Sequence, residues 1–145
     1  DAARLKLLRS IFTKGLEALT VECLATAEVS GLRHPLHEVL LDIDQTPLQA
    51  LMETLVVTHI EHAARRREEV IEAQHLMHSN GIQPVVLPAV QRLFERTVTE
   101  LSRCAAPQGQ VDVALKWLVE SASQGRDSTP TSSDPRIAAA GDKHA

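Results

Sequence analysis

Apolar residues recur at steps of three and four along most of this chain, and Gly and Pro separate the runs. The first run, Ala3 to Leu32, places Leu8, Ile11, Phe12, Leu16, Leu19, Cys23, Leu24 and Ala27 on one stripe. That spacing predicts a helix with one buried face, closed by Gly31 just past its last turn. At ~1.5 Å per residue it is ~40 Å long, the width of a small domain. Residues 33–44 follow as a short helix with Pro35 in its first turn and Leu36, Val39 and Leu40 on one side. Thr46, Pro47 and Gln49 have the order of an N-cap, a first helical position and a capping-box partner. They open a helix expected to reach Ser79 with a break or kink near Thr58 to His62, where β-branched residues cluster. Asn80-Gly81 ends it. Pro84 and Pro88, four apart, exclude regular helix throughout residues 82–88. Helices are then expected over Ala89–Cys104, with Val90, Leu93, Phe94, Val98 and Leu101 inward, and over Val111–Ser123. No internal repeat is present. The expected fold is all-α, a helical bundle organised around the one long N-terminal helix. Its domain spans residues 1–124, and residues 125–145 read as a polar, disordered or peripherally packed tail.

Composition agrees with helices. Apolar residues make up 43% of the 145, but aromatics only 2%, which suits cores of Leu, Ala and Val better than sheets. A net charge of −4 gives no general electrostatic reason to expect nucleic acid or an anionic membrane as partner. Two cysteines without framework spacing fit a reduced, cytoplasmic chain. No apolar run approaches the ~18 residues of a spanning helix, and no signal-peptide pattern opens the chain. The first residue is Asp, so the chain reads as a fragment or trimmed piece.

Three groups of residues carry candidate chemistry. Lys6, Ser10 and Lys14 are four apart and share a helix face, with Thr13 and Glu17 beside them. Gly15 interrupts the helix at a cost of ~1 kcal/mol against Ala, which close approach of a backbone or ligand would explain. On spacing alone, solvated lysines around a spacer serine remain the plainer reading. In the run from His62 to Glu69, His62, Arg65, Arg66 and Glu69 fall at helical steps. Arg suits two-point capture of a carboxylate, whereas an exposed Arg65–Glu69 pair explains the same run. Among the seven His, His59 and His62 are three apart, as are His75 and His78, and Glu72 with His75 forms one Glu-x-x-His. A di-iron bundle needs two such pairs and two more Glu, so no metal ligands are assigned. No strand, Gly-rich loop and helix occur in sequence, so neither a dinucleotide fingerprint nor a P-loop is present.

The opening "LKLLRSIFTKGLEALTVECLATAEVSGL" and, ~30 residues on, "HAARRREEV" together resemble the helical C-terminal domain of the β-hydroxyacid dehydrogenase superfamily. The resemblance covers about residues 3–100 and is nearest the phosphogluconate-dehydrogenase-like, NAD-binding branch, relatives of 3-hydroxyisobutyrate dehydrogenase. It implies a 6-phosphogluconate dehydrogenase C-terminal-like fold that closes an active site and forms a homodimer. It also implies an N-terminal Rossmann domain, missing from this chain, that holds NAD or NADP; none is expected to bind this chain alone. Lys6 matches the family's catalytic lysine. Ser10 stands where the family commonly has a substrate-touching Asn, a departure that bears on substrate identity. Lys14 matches the lysine of the branch's "KG", and Arg65 and Arg66 fall where a second basic helix meets a small carboxylate substrate. The alternatives are a non-catalytic helical interaction module and a metal-binding helical bundle.

Overall fold

A computed structural model describes residues 1–124; the expected tail, 125–145, lies outside the described residues. Six helices form an all-α bundle: α1 (Ala2–Val29), α2 (Arg33–Val39), α3 (Leu41–Asp44), α4 (Leu48–Ser79), α5 (Val86–Leu101) and α6 (Val111–Gln124). Among the described residues there is no strand, and no helix is long and apolar enough to cross a membrane.

The ends of α1 and α4 follow directly from their Gly residues. Gly31 adopts φ +69° and Gly81 φ +73°. The Leu32 N–H donates to the Ala27 carbonyl at 2.8 Å and the Gly31 N–H to Glu28 at 3.1 Å. Ile82 and Gly81 repeat the pair on Met77 and His78, at 2.9 and 3.0 Å. These are Schellman closures, which satisfy the last carbonyls and turn the chain back. A Cβ at either glycine would meet no atom within 4 Å. Only the left-handed backbone then opposes a side chain, and Gly31→Ala is expected to cost about 1–2 kcal/mol. Urea denaturation should show this as a lower midpoint with unchanged slope.

Other local expectations are corrected. Residues 33–44 form two helices broken at Leu40, not one. The Thr46 hydroxyl donates back to the Asp42 carbonyl at 2.7 Å and closes α3, so it does not cap α4. Pro47 takes the cap position itself with ψ 135°, and the Gln49 side chain bonds Glu53 forward. α4 runs unbroken through Thr58 to His62. The β-branched residues there are held by packing, since Ile60 is 3% exposed and Ala63 1%. Tertiary burial outweighs their weak local preference against helix.

α4 is the packing centre. α5 returns along it and α6 crosses both. Small buried residues, Ala63 on α4 and Ala114 on α6, permit close approach around Ile60. Polar bonds fix the α4–α5 register: Gln74 Nε2 donates to Gln91 Oε1 at 2.7 Å, and His59 Nε2 lies 2.7 Å from Thr97 Oγ1. Thr97 is buried and its hydroxyl reaches the Leu93 carbonyl, so its oxygen is free to accept from the imidazole N–H. The His59 ring also lies 4.8 Å from the Phe94 ring. Burial, then the Arg66 and Arg96 charges, push the His59 pKa below its ordinary 6.5. The folded state therefore favours neutral His59. Its contribution is complete above 6.5 and is lost as pH falls from there through the depressed folded value. His59→Phe is expected to flatten that part of the stability–pH curve, which denaturation at pH 7 and pH 5 for both proteins would read.

The largest departure concerns α1. The expected buried stripe is open: Leu8, Ile11, Leu16 and Leu19 are exposed, Phe12 is 36% exposed, and only Ala27 of the eight is buried. Every residue from 1 to 21 is exposed except the half-buried Thr13. The last two turns of α1 dock on α2 and α5, and the first twenty residues form an arm with an apolar side left exposed among the described residues.

Candidate functional site

The arm presents two faces. At 100° per residue, Lys6, Ser10 and Lys14 fall within about 80° of arc, and Leu5, Leu8, Ile11, Phe12 and Leu16 lie roughly opposite. Lys6 and Ser10 are exposed. Lys14 Nζ bonds Glu17 Oε2 at 2.6 Å across one turn, an exposed pair of little energetic weight. A Cβ at Gly15 would meet nothing within 4 Å, so among the described residues no other backbone approaches it.

Arg65 and Arg66 occupy the middle of α4 and make their polar contacts within that helix. Arg65 Nη1 pairs with Glu69, the plainer of the two expectations for this run. Arg66 is half-buried and its Nη2 donates to Thr58 Oγ1 at 3.0 Å. No hydrogen bond or ion pair joins either arginine to α1 among the described residues. The lysine face and the arginine pair are thus two separate groups within one chain.

A residue that sequence reasoning missed ties α1 to the bundle. Glu22 is buried on α1, and its carboxylate accepts from the first amides of α5. The Val85 and Val86 N–H groups donate to Oε1, the latter at 2.9 Å, and the Leu87 N–H donates to Oε2 at 3.1 Å. Burial alone raises a carboxyl pKa, but these three amide bonds outweigh it and hold Glu22 below the ordinary 4.5. The contact explains why α5 begins at Val86 rather than at the expected Ala89. Glu22 satisfies the amides that the Pro-containing first turn leaves open, and its charge complements the helix N-terminus. A lone Glu between Val21 and Cys23 was the available signal; its partners lie more than 60 residues away.

Two open clefts flank this junction. One, of about 460 Å³, is lined by apolar side chains including Leu19, Leu36, Val39, Leu76 and Met77. Its polar residues are engaged, Glu22 by α5 and Thr26 Oγ1 by the Glu22 carbonyl at 2.8 Å. The other, of about 550 Å³, lies between α1 and residues 82–86, with Lys14, Glu17 and Gln83 at its rim. Among the described residues, no three His, Cys, Asp or Glu side chains are grouped to hold a metal ion. Nor do they form a strand and Gly-rich turn that would cradle a dinucleotide pyrophosphate.

Residues 27–97 match the family described as Domain of unknown function (DUF1932). The DUF1932 match begins at the last turn of α1 and ends within α5, so it takes in His59, Arg65 and Arg66 and leaves Lys6, Ser10, Lys14 and Glu22 outside. The chain is also 30% identical over 95 residues to "Uncharacterized 28.5 kDa protein in 7S RNA 5'region" from Methanothermus fervidus. That alignment covers 66% of this chain and 38% of the relative, so the chain spans well under half of its relative's length. No solved structure matches significantly.

Proposed function

We propose that this chain is the substrate-binding and dimerisation half of a cytoplasmic NAD(P)-dependent oxidoreductase that acts on a small hydroxy acid. The observation that carries the reading is the lysine face of α1: Lys6, Ser10 and Lys14 aligned on an arm that is exposed among the described residues. The resemblance of the opening helix and of "HAARRREEV" to the helical domain of β-hydroxyacid dehydrogenases supports it, as does the DUF1932 match over the bundle. Lys6 takes the proton from the substrate hydroxyl, or returns it in the reverse direction. Ser10, one turn on, hydrogen-bonds the substrate, and Lys14 neutralises its carboxylate together with Arg65 or Arg66, which, being separate from the lysine face within one chain, would come from the second copy of the dimer. No residue of this chain is assigned to the cofactor; NAD or NADP belongs to a separate Rossmann domain and supplies the hydride chemistry.

Calorimetric titration of this chain with NADH and NADPH should show no binding, and micromolar affinity would overturn the domain assignment. The full-length gene product, assayed with NAD and NADP against a panel of short hydroxy acids, should reduce cofactor with at least one of them. No turnover on any would remove the proposal. A non-catalytic interaction module is the second reading, favoured by the uncovered apolar side of α1. It predicts partner binding that is indifferent to Lys6.

A further inference from the structure

The lysine face lies on the part of α1 that precedes its attachments to the bundle. Among the described residues every position of α1 before Glu22 except the half-buried Thr13 is exposed, and the first side-chain hydrogen bonds from α1 to another element are those of the Glu22 carboxylate with three amides at the start of α5. From Glu22 to Lys6 is sixteen residues of helix, a lever of ~24 Å. A tilt of ~5° at Glu22 therefore displaces Lys6 by ~2 Å, and a reacting group misplaced by ~1 Å can lose ~10²-fold in rate. We infer that Glu22 is the positioning residue of the lysine face, clamping α1 to the first turn of α5 and so fixing the direction in which the arm carries Lys6 and Ser10. The catalytic part of this inference rests on the function proposed above; the mechanical part does not.

The geometry suits a clamp. Both carboxylate oxygens are used, Oε1 by two amides and Oε2 by a third, so rotation about the last side-chain bond is blocked. The three donors belong to consecutive residues of one element, so the carboxylate is fixed to α5 as a whole. Val85 and Val86 also form the wall of the cleft whose rim carries Lys14. Further attachments of α1, the half-buried Leu24 and Thr26, the buried Ala27 and the exposed Glu28–Arg33 ion pair at 3.3 Å, follow within six residues of Glu22. Among the described residues the hydrogen bonds and ion pairs further out on the arm stay within α1 and its cap.

The test uses Glu22→Gln, nearly the same shape but without the charge and with an NH2 in place of one accepting oxygen, so that it faces at least one amide donor, and Glu22→Asp, which keeps the charge and shortens the reach. Spin labels at Arg9 and Lys116, with Cys23 and Cys104 replaced by Ser, report the direction of the arm as a distance distribution. Glu22→Gln should broaden that distribution and speed amide exchange at Val85, Val86 and Leu87 at least tenfold, while circular dichroism stays helical. Glu22→Asp should fall between it and the parent; if Glu22→Gln fails to fold, the Asp variant decides alone. In the full-length enzyme, Glu22→Gln should lower kcat by ~10²-fold with cofactor affinity unchanged, a split that general destabilisation does not give. An unchanged distance distribution overturns the clamp. A broadened one with unchanged kcat overturns the positioning role. If the parent enzyme turns over no hydroxy acid but the distribution broadens, the clamp stands and the proposed function falls.

Discussion

Lys6→Ala in the full-length enzyme is expected to lower kcat by about 10²–10⁴-fold while NAD(P) affinity stays at the parent value. A positioned general acid or base contributes a factor of that size, and on the proposed function truncating Lys6 removes proton transfer without touching the cofactor, which that proposal places on another domain. Lys14→Ala should cost less. Its ammonium already has Glu17 at 2.6 Å, and it stands about 12 Å along the helix from Lys6, so on the proposed function it serves the substrate's charge rather than the proton transfer. Arg66→Ala should mainly raise KM, because an anchor binds ground state and transition state alike. It also frees the Thr58 hydroxyl and leaves a gap on α4, so its thermal stability is measured beside its kinetics. Steady-state kinetics of the three variants decides the assignment. Parent kcat in Lys6→Ala with a lost kcat in Lys14→Ala would move the catalyst two turns along α1, and parent kcat in both would leave the fold standing without this mechanism.

The purified chain is expected to be a dimer, and the paired change Leu8→Glu with Ile11→Glu is expected to weaken it by at least ~10³-fold. Leu5 is 66% exposed, Leu8 60% and Ile11 72%, and with Leu16 and Phe12 they form a continuous apolar strip. Exposed strips of this kind favour association. In a two-fold dimer the same strip serves both copies, so two substitutions remove four apolar side chains. Full burial of a Leu or Ile is worth about 1.5–3 kcal/mol, and even a fraction of four such terms exceeds the ~4 kcal/mol of a 10³-fold change. Thr13→Glu, on the polar side, should leave the dimer intact. Light scattering reads all three proteins. A parent mass of 15.9 kDa at high concentration would count against a second copy as the cover of the arm.

Much of the local structure was legible because its causes are local. The Gly31 and Asn80-Gly81 stops appear where the sequence puts them, since a left-handed residue after the last turn closes a helix from within six residues. The start of α6 at Val111 also follows from pattern alone. Errors arose where a distant partner overrode a local preference. Thr46 has two helices to serve and bonds the one behind it. Residues 56–60 continue as helix because Ile60 and Ala63 are buried against other helices.

The candidate site divides along the same line. That Lys6, Ser10 and Lys14 share a face is a matter of helical pitch, and the sequence by itself determined it, together with the all-α class and the apolar strip on the other side. Periodicity shows that a strip is apolar but cannot say what covers it, because cover comes from elements remote in the chain or from another molecule. Only the tertiary structure decided that the strip on the arm is open, that Arg65 and Arg66 stay within α4, and that Glu22, a single Glu in an apolar run, holds α1 to the amides of α5. Its partners lie 63–65 residues away, and a carboxylate finds helix-capping amides at that separation only once the chain has folded.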